Sequence, residues 1–347
     1  MRWAILATGG IAQAFARCTR HVPDAEIAAV VSRTQEAAEA FARHHGIARA
    51  TTELASAFEH VDALYVASPH PFHFDAVRQA LEANVPVLCE KPLTMTASEA
   101  RKLSELAHEN RTFLMEAVWM RFVPAVRRAQ ELVADGRIGR VNRLCAEFAI
   151  SAPFDDPSFG ASHRLYAPAL GGGALHDLGV YPIHLALAFL GSPAKVEASW
   201  RSAPTGVDAG ADLRFAYDDG RIAYLTCGFD GPGANIAIIE GEGGSIVLDT
   251  TFIGAHRLWV VPNALAPLFG SGRAKGAAAA FRRFARRARL PGVERIDLPY
   301  LDDGLQFEIA AAQEAIVDEA IEHSLVPHAD SVRALKIIEK ALAQPAS

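Results

Sequence analysis

One phrase repeats through the first third of this chain: a short, wholly apolar run, a turn, then a longer segment whose apolar residues recur at helical spacing. Trp3-Ala4-Ile5-Leu6-Ala7 precedes a helix expected over about residues 11–20, and Ile27-Ala28-Ala29-Val30-Val31 precedes one over 35–45, stopped by Gly46. Ala63-Leu64-Tyr65-Val66-Ala67 leads through a proline-containing turn to a helix over 74–83. Val85-Pro86-Val87-Leu88-Cys89 leads to another over 97–109, opened by Thr96 and Glu99 as a capping box. Thr112-Phe113-Leu114-Met115 closes the series. Strands that are apolar throughout and joined by helices belong to a parallel sheet covered on both faces, so the spacing predicts a doubly wound α/β Rossmann domain. Ligands of such sheets sit beyond the carboxyl ends of the strands, and the turns there are where chemistry is to be sought.

Beyond residue 140 the pattern changes to longer strand-like segments, at 141–150, 196–202, 211–217, 222–229, 235–240 and 244–250. Their turns include Asp218-Asp219-Gly220 and Gly241-Glu242-Gly243-Gly244, which suits a large, mostly antiparallel open sheet in an α+β domain. Helices over 305–322 and 330–342 are expected to pack back across the domains. A chain of 347 residues is long enough for two domains, here 1–120 for the dinucleotide and 121–347 for substrate and dimerisation.

Half of the residues are hydrophobic and 21% are charged, a globular balance; the net charge of −6 weighs against nucleic acid as the main partner. Cys18, Cys89, Cys145 and Cys227 form no Cys-x-x-Cys pair, which implies neither a zinc framework nor a disulfide scaffold and points to a reducing, cytoplasmic setting. A strand that starts at residue 2 leaves no room for a signal peptide, and no run of about 18 uninterrupted apolar residues suggests a membrane span. The stretch 273–289 holds seven basic residues and no acid; it is expected to be a solvated helix rather than a site for an anionic surface.

The turn after the first strand reads Ala7-Thr8-Gly9-Gly10-Ile11-Ala12. It fits the dinucleotide fingerprint at the second and third small positions, with Ala7 where the first glycine usually stands. Gly9 lets backbone approach a pyrophosphate, Ala12 allows close helix–strand packing, and the helix N-terminus attracts the anion. The second strand ends Val31-Ser32-Arg33-Thr34, with no acid before Glu36. A carboxylate there would bind the ribose hydroxyls of NAD. Arg33, assisted by Ser32, instead suits the 2′-phosphate of NADP, so NADP is expected over NAD.

After the fourth run come Ser68-Pro69-His70-Pro71-Phe72-His73, and after the next Glu90-Lys91-Pro92. His70 and His73 have no cysteine or carboxylate partner in the turn, so no metal site is expected. With the downstream segment Gly171-Gly172-Gly173-Ala174-Leu175-His176-Asp177-Leu178-Gly179-Val180-Tyr181, these motifs resemble the glucose–fructose oxidoreductase/inositol dehydrogenase (Gfo/Idh/MocA) family over essentially the whole chain. Many members carry His four residues after the Asp; Tyr181 is similar to the dimeric dihydrodiol dehydrogenase and glucose–fructose oxidoreductase branch, as are residues 115–122 and 142–148.

The resemblance implies an NADP-linked dehydrogenase or reductase acting on a sugar, cyclic polyol or diol, and a homodimer formed sheet to sheet. It implies Tyr181 as general acid/base, Lys91 polarising the substrate oxygen and favouring the phenolate, and Asp177 orienting substrate or Lys91. An unaided Tyr, with a pKa of about 10, is a poor base at neutral pH. Ser68, Pro69, His70, His73 and Glu90 would border the nicotinamide, a plain helix start being the other role open to His70 and His73, and Arg164 would touch substrate. His184, three residues past Tyr181, is the competing base. The alternative function is a non-catalytic dinucleotide-binding sensor on the same fold.

Overall fold

In the computed structural model, which describes residues 1–269 and 290–346, the repeating phrase folds as β1 (Arg2–Leu6), α1 (Gly10–Thr19), β2 (Glu26–Val31), α2 (Gln35–His45), β3 (Arg49–Thr51), α3 (Leu54–Phe58), β4 (Ala63–Val66), α4 (His73–Glu82), β5 (Val87–Glu90), α5 (Ala97–Glu109) and β6 (Leu114–Ala117). The six strands form one parallel sheet in the order β3-β2-β1-β4-β5-β6. The chain winds outward from β1 to β3, then returns to β4 beside β1 and winds the other way. That reversal opens the strand ends between β1 and β4, where ligands of such sheets bind. Local chemistry sets the helix ends. Thr34 accepts from the Ala37 N–H at 3.3 Å, Gly46 ends α2 at φ 73°, and Thr96 with Glu99 forms the expected capping box. β3 and α3 carried no sequence signal, being too short to show a period.

The first compact unit comprises Met1–Phe122, Ala169–Gly171 and Leu301–Lys336. This differs from the expected division of 1–120 and 121–347. The helix Leu305–Val317 packs on α1, Trp3 Nε1 donates to Gln313 Oε1 at 3.2 Å, and Leu335 joins the apolar cluster around Leu64, Val87 and Leu103. The sheet completes its cover with residues from the far end of the chain.

The second unit holds α6 (Pro124–Ala134), β7 (Val141–Ala149), α7 (Val180–Leu190), β8 (Lys195–Ser202), β9 (Asp208–Ala216), β10 (Ile222–Gly228), β11 (Ala237–Gly241), β12 (Ser245–Leu248), β13 (Arg257–Val261) and β14 (Glu294–Asp297). Its sheet runs β14-β13-β12-β11-β7-β10-β9-β8, antiparallel except where β7 meets β10. Leu144, Ala146, Leu213 and Leu225 point to the face on which α7 lies. The opposite face is only half open. Across β11 to β13 it is covered by Ala266, Phe269, Leu290 and Val293 packed on Ile238, Val247 and Trp259. Across β7 to β10 it presents polar pairs: Arg143 with Glu240, Arg214 with Glu197, and Thr226 with Asp212.

Residues 168–190 are apolar enough by composition to cross a membrane, and 89% of the 18-residue apolar stretch within them is buried. Its apolarity serves the core of this unit. The basic stretch 273–289 lies outside the described residues.

Candidate active site

At the carboxyl end of β1 the backbone turns through Ala7, whose φ of 89° is left-handed, and its N–H donates to Val31 O at 2.8 Å. Thr8 and Ile11 are half-buried, whereas Gly9 and Gly10 are exposed, with nothing within 4 Å of where a Cβ would stand. No side chain caps α1, and its first turn holds no acid. Ala12 is fully buried against the sheet. A helix end with unclaimed N–H groups, open space above two glycines and no opposing charge fits a pyrophosphate. One strand over, the Ser32 N–H donates to Thr51 O at 3.1 Å. Arg33 is exposed, and its side chain makes no hydrogen bond or ion pair among the described residues.

The ends of β4 and β5 are tied together from beneath. Glu90, 5% exposed, accepts from the Tyr65 hydroxyl at 2.5 Å and from the Lys91 N–H at 3.2 Å, and Glu116 accepts from the Leu93 N–H at 3.0 Å. Lys91 itself is half-buried, and its bond to Pro92 is cis. Ser68 and His70 are half-buried and Pro69 is exposed; His70 Nδ1 lies 3.1 Å from Gly171 O.

His73 takes the second of the two roles open to it, at the start of α4. Its ring is wholly buried, with Nδ1 2.9 Å from Pro92 O and Nε2 2.8 Å from Ser68 O. Burial lowers its pKa, so the neutral ring donates to one carbonyl and abuts the other. His73 is therefore a strut between the two turns and offers no ring nitrogen to a cofactor. The side chain that this turn does expose is Phe72, at 54%. Beneath the sheet end, Glu308 is fully buried with no partner on either carboxyl oxygen; burial first, then the charge of Glu90, holds it protonated well above the usual carboxylate range. A cavity of about 240 Å³ lined by Asn84, Pro86, Arg111 and Phe113 lies at the opposite, amino-terminal edge of β5 and β6 and includes none of these groups.

In the second unit the glycine run is a matter of close approach. A Cβ on Gly172 would stand 2.8 Å from Leu165 O, and one on Gly173, at φ 126°, would stand 2.3 Å from Asp208 Oδ1. Residues 175–179 then form a single π-helical turn that continues into α7, laid on β10 with the missing side chain of Gly179 facing Cys227. Asp177 stands in that turn, 5% exposed, and accepts from Arg164 Nη1 at 3.0 Å. Tyr181 follows on α7, 6% exposed, with Phe148 edge-on at 5.5 Å between ring centroids. His184 is fully buried, so the competing base has no open edge. Among the described residues no group of three or more His, Cys, Asp or Glu could hold a metal.

Comparison with known proteins settles the kinship. The family model described as an oxidoreductase family with an NAD-binding Rossmann fold matches residues 1–118, and the GFO/IDH/MocA C-terminal domain model matches 126–247. The chain belongs to the Gfo/Idh/MocA oxidoreductase family. Among Gfo/Idh/MocA proteins, trans-1,2-dihydrobenzene-1,2-diol dehydrogenase of Xenopus tropicalis is 31% identical over 92% of this chain and 97% of its own. D-xylose 1-dehydrogenase (NADP(+)) of Hypocrea jecorina is 43% identical, over 53% of this chain and about half of its own length (51%). The 3-ketoreductase KijD10 of Actinomadura kijaniata, solved with NADP and TDP-benzene, superposes with a TM-score of 0.78 at 25% identity, covering 98% of this chain and 96% of that one. Two side chains carried no sequence signal: Phe72, exposed in the turn after β4, and Asp208, set against the glycine run of the second unit, which no local motif marks.

Proposed function

We propose that this chain is an NADP-dependent oxidoreductase that moves a hydride between nicotinamide and a hydroxyl-bearing or carbonyl carbon of a sugar, cyclic polyol or trans-dihydrodiol. The observation that carries the reading is the open glycine turn at the reversal of the parallel sheet, with Arg33 exposed at the end of β2. It agrees with the NADP in the printed names of the xylose enzyme and of the KijD10 complex. The sensor alternative has no support among these relatives.

NADP, when bound, supplies or accepts the hydride. Gly9, Gly10 and the first turn of α1 would hold its pyrophosphate, and Arg33 with Ser32 its 2′-phosphate. Tyr181 gives or takes the substrate hydroxyl proton at its phenolic oxygen. Lys91 would polarise the substrate oxygen, and Asp177, bonded to Arg164, would orient the substrate or Lys91. Titration with NADPH and with NADH, followed by fluorescence, tests the cofactor: tight NADPH and weak NADH binding is expected, and binding of neither would end the reading.

Two further parts belong to the same proposal. The half-open polar face of β7 to β10, where Tyr224 is 44% exposed, supports homodimerisation; a monomeric mass by light scattering at micromolar concentration would refute it. Four free cysteines suit a cytoplasmic enzyme, a placement that fractionation of the producing cells would check.

A further inference from the structure

Asp208 opens β9 and is 2% exposed, a costly place for a carboxylate unless something on the protein needs it there. Its Oδ2 accepts from the Leu175 N–H at 2.6 Å, a buried bond between residues thirty-three positions apart. Ala174 and Leu175 stand at the amino end of the helical run that carries Asp177 and Tyr181, and the first N–H groups of a helix have no partner within it. Capping residues ordinarily come from the residue just before the helix. Here that place is taken by Gly173, whose missing Cβ leaves the space through which Asp208 reaches, since a Cβ would sit 2.3 Å from Oδ1. The glycine run and this carboxylate therefore form one device.

We propose that Asp208 is a positioning residue for the reaction: by capping the helix from another strand it fixes the stance of Asp177 and Tyr181. The inference rests on the reading of Tyr181 as the acid/base. The carboxylate touches no reacting atom. It holds the π-helical turn down on β10, and Tyr181 stands in the first turn of α7, immediately beyond. A small misplacement of an acid/base group costs catalysis far more than binding.

The test is kinetic, on the full chain. Asp208→Ala is expected to lower kcat by about thirtyfold with the NADPH Kd unchanged, because the dinucleotide turn lies in the other unit. Asp208→Asn keeps one acceptor oxygen and is expected to recover most of that loss, about threefold below wild type. If the alanine variant does not fold, the asparagine variant carries the test through a cycle with Tyr181→Phe. Its loss of kcat should vanish in the Phe background, where there is no phenol left to place. Wild-type kcat in folded Asp208→Ala, or equal losses in both backgrounds, would overturn the positioning role while leaving Tyr181 standing. Wild-type kcat in Tyr181→Phe alone would remove the acid/base reading and this inference with it.

Discussion

At the glycine turn of the first unit the groups proposed for the dinucleotide are backbone. Gly9 and Gly10 are exposed, nothing crowds them, and the anion would be met by N–H groups that every helix start possesses. In the second unit the groups proposed for the proton transfer are side chains, and they are hidden: Asp177 is 5% and Tyr181 6% exposed. Distant residues hold the segment that carries them: Arg164, thirteen positions back, bonds Asp177, and Asp208 accepts from the Leu175 amide thirty-three positions away. An anion site built of backbone needs only small residues in a row, so it is cheap to keep and tolerant of change. An acid/base site built of buried charge depends on every partner, because an unpaired buried carboxylate is expensive.

That contrast can be broken or sharpened by substitution. Tyr181→Phe should cut kcat by about a thousandfold and leave NADPH binding unchanged, measured by steady-state rates and fluorescence titration. A variant within tenfold of wild type would show that the hidden site is not where the proton moves. Arg33→Ala should weaken NADPH by about ten- to a hundredfold, the loss of a charge-assisted bond, and leave NADH alone. An unchanged ratio of the two affinities would remove Arg33 from the cofactor.

The third test uses acid. Burial raises the Asp208 pKa to about 6 against an ordinary 3.8, opposed by the bond it accepts from the Leu175 N–H. The folded state therefore binds a proton more tightly than the unfolded chain. The stability this contributes is complete below about pH 4 and is lost as pH rises through about 6, a change of about 3 kcal/mol. Urea melts of Asp208→Asn from pH 4 to 7 should lack that decline; a decline equal to wild type would assign it to another group. The smallest effect is expected at Ala7, held at φ 89° where glycine is the usual residue. Ala7→Gly should gain about 1 kcal/mol in urea denaturation without weakening NADPH, and a loss of stability would mean the alanine methyl packs usefully.

Much of the first unit was legible because its signals are local. The capping box at Thr96 and Glu99, the stop at Gly46 and five of the six parallel strands lie where runs and turn residues place them. The places of the glycine turn after β1 and of Arg33 after β2 were legible for the same reason. For His73 the sequence left two roles open, cofactor contact and helix start, and burial decides for the second, because both ring nitrogens face carbonyls. The motif at 171–181 gave the identity of Asp177 and Tyr181 but not the purpose of its glycines. That purpose is steric and is defined by Asp208 and Leu165, distant residues that local periodicity does not reach. The opposite face of the second sheet is half covered, and the residues over β11 to β13 come from beyond the strands they protect, where periodicity within a strand does not reach.

The return of Leu301–Lys336 to the first unit has a consequence for how the protein is made. A ribosome releases the parallel sheet long before it has synthesised the helix that packs on α1. Until then the nascent dinucleotide unit keeps an apolar flank uncovered, open to chaperones and to neighbouring nascent chains. A fragment ended at residue 122 would be left in that state for good, so the Rossmann portion of this chain should not be expected to fold as an independent cassette.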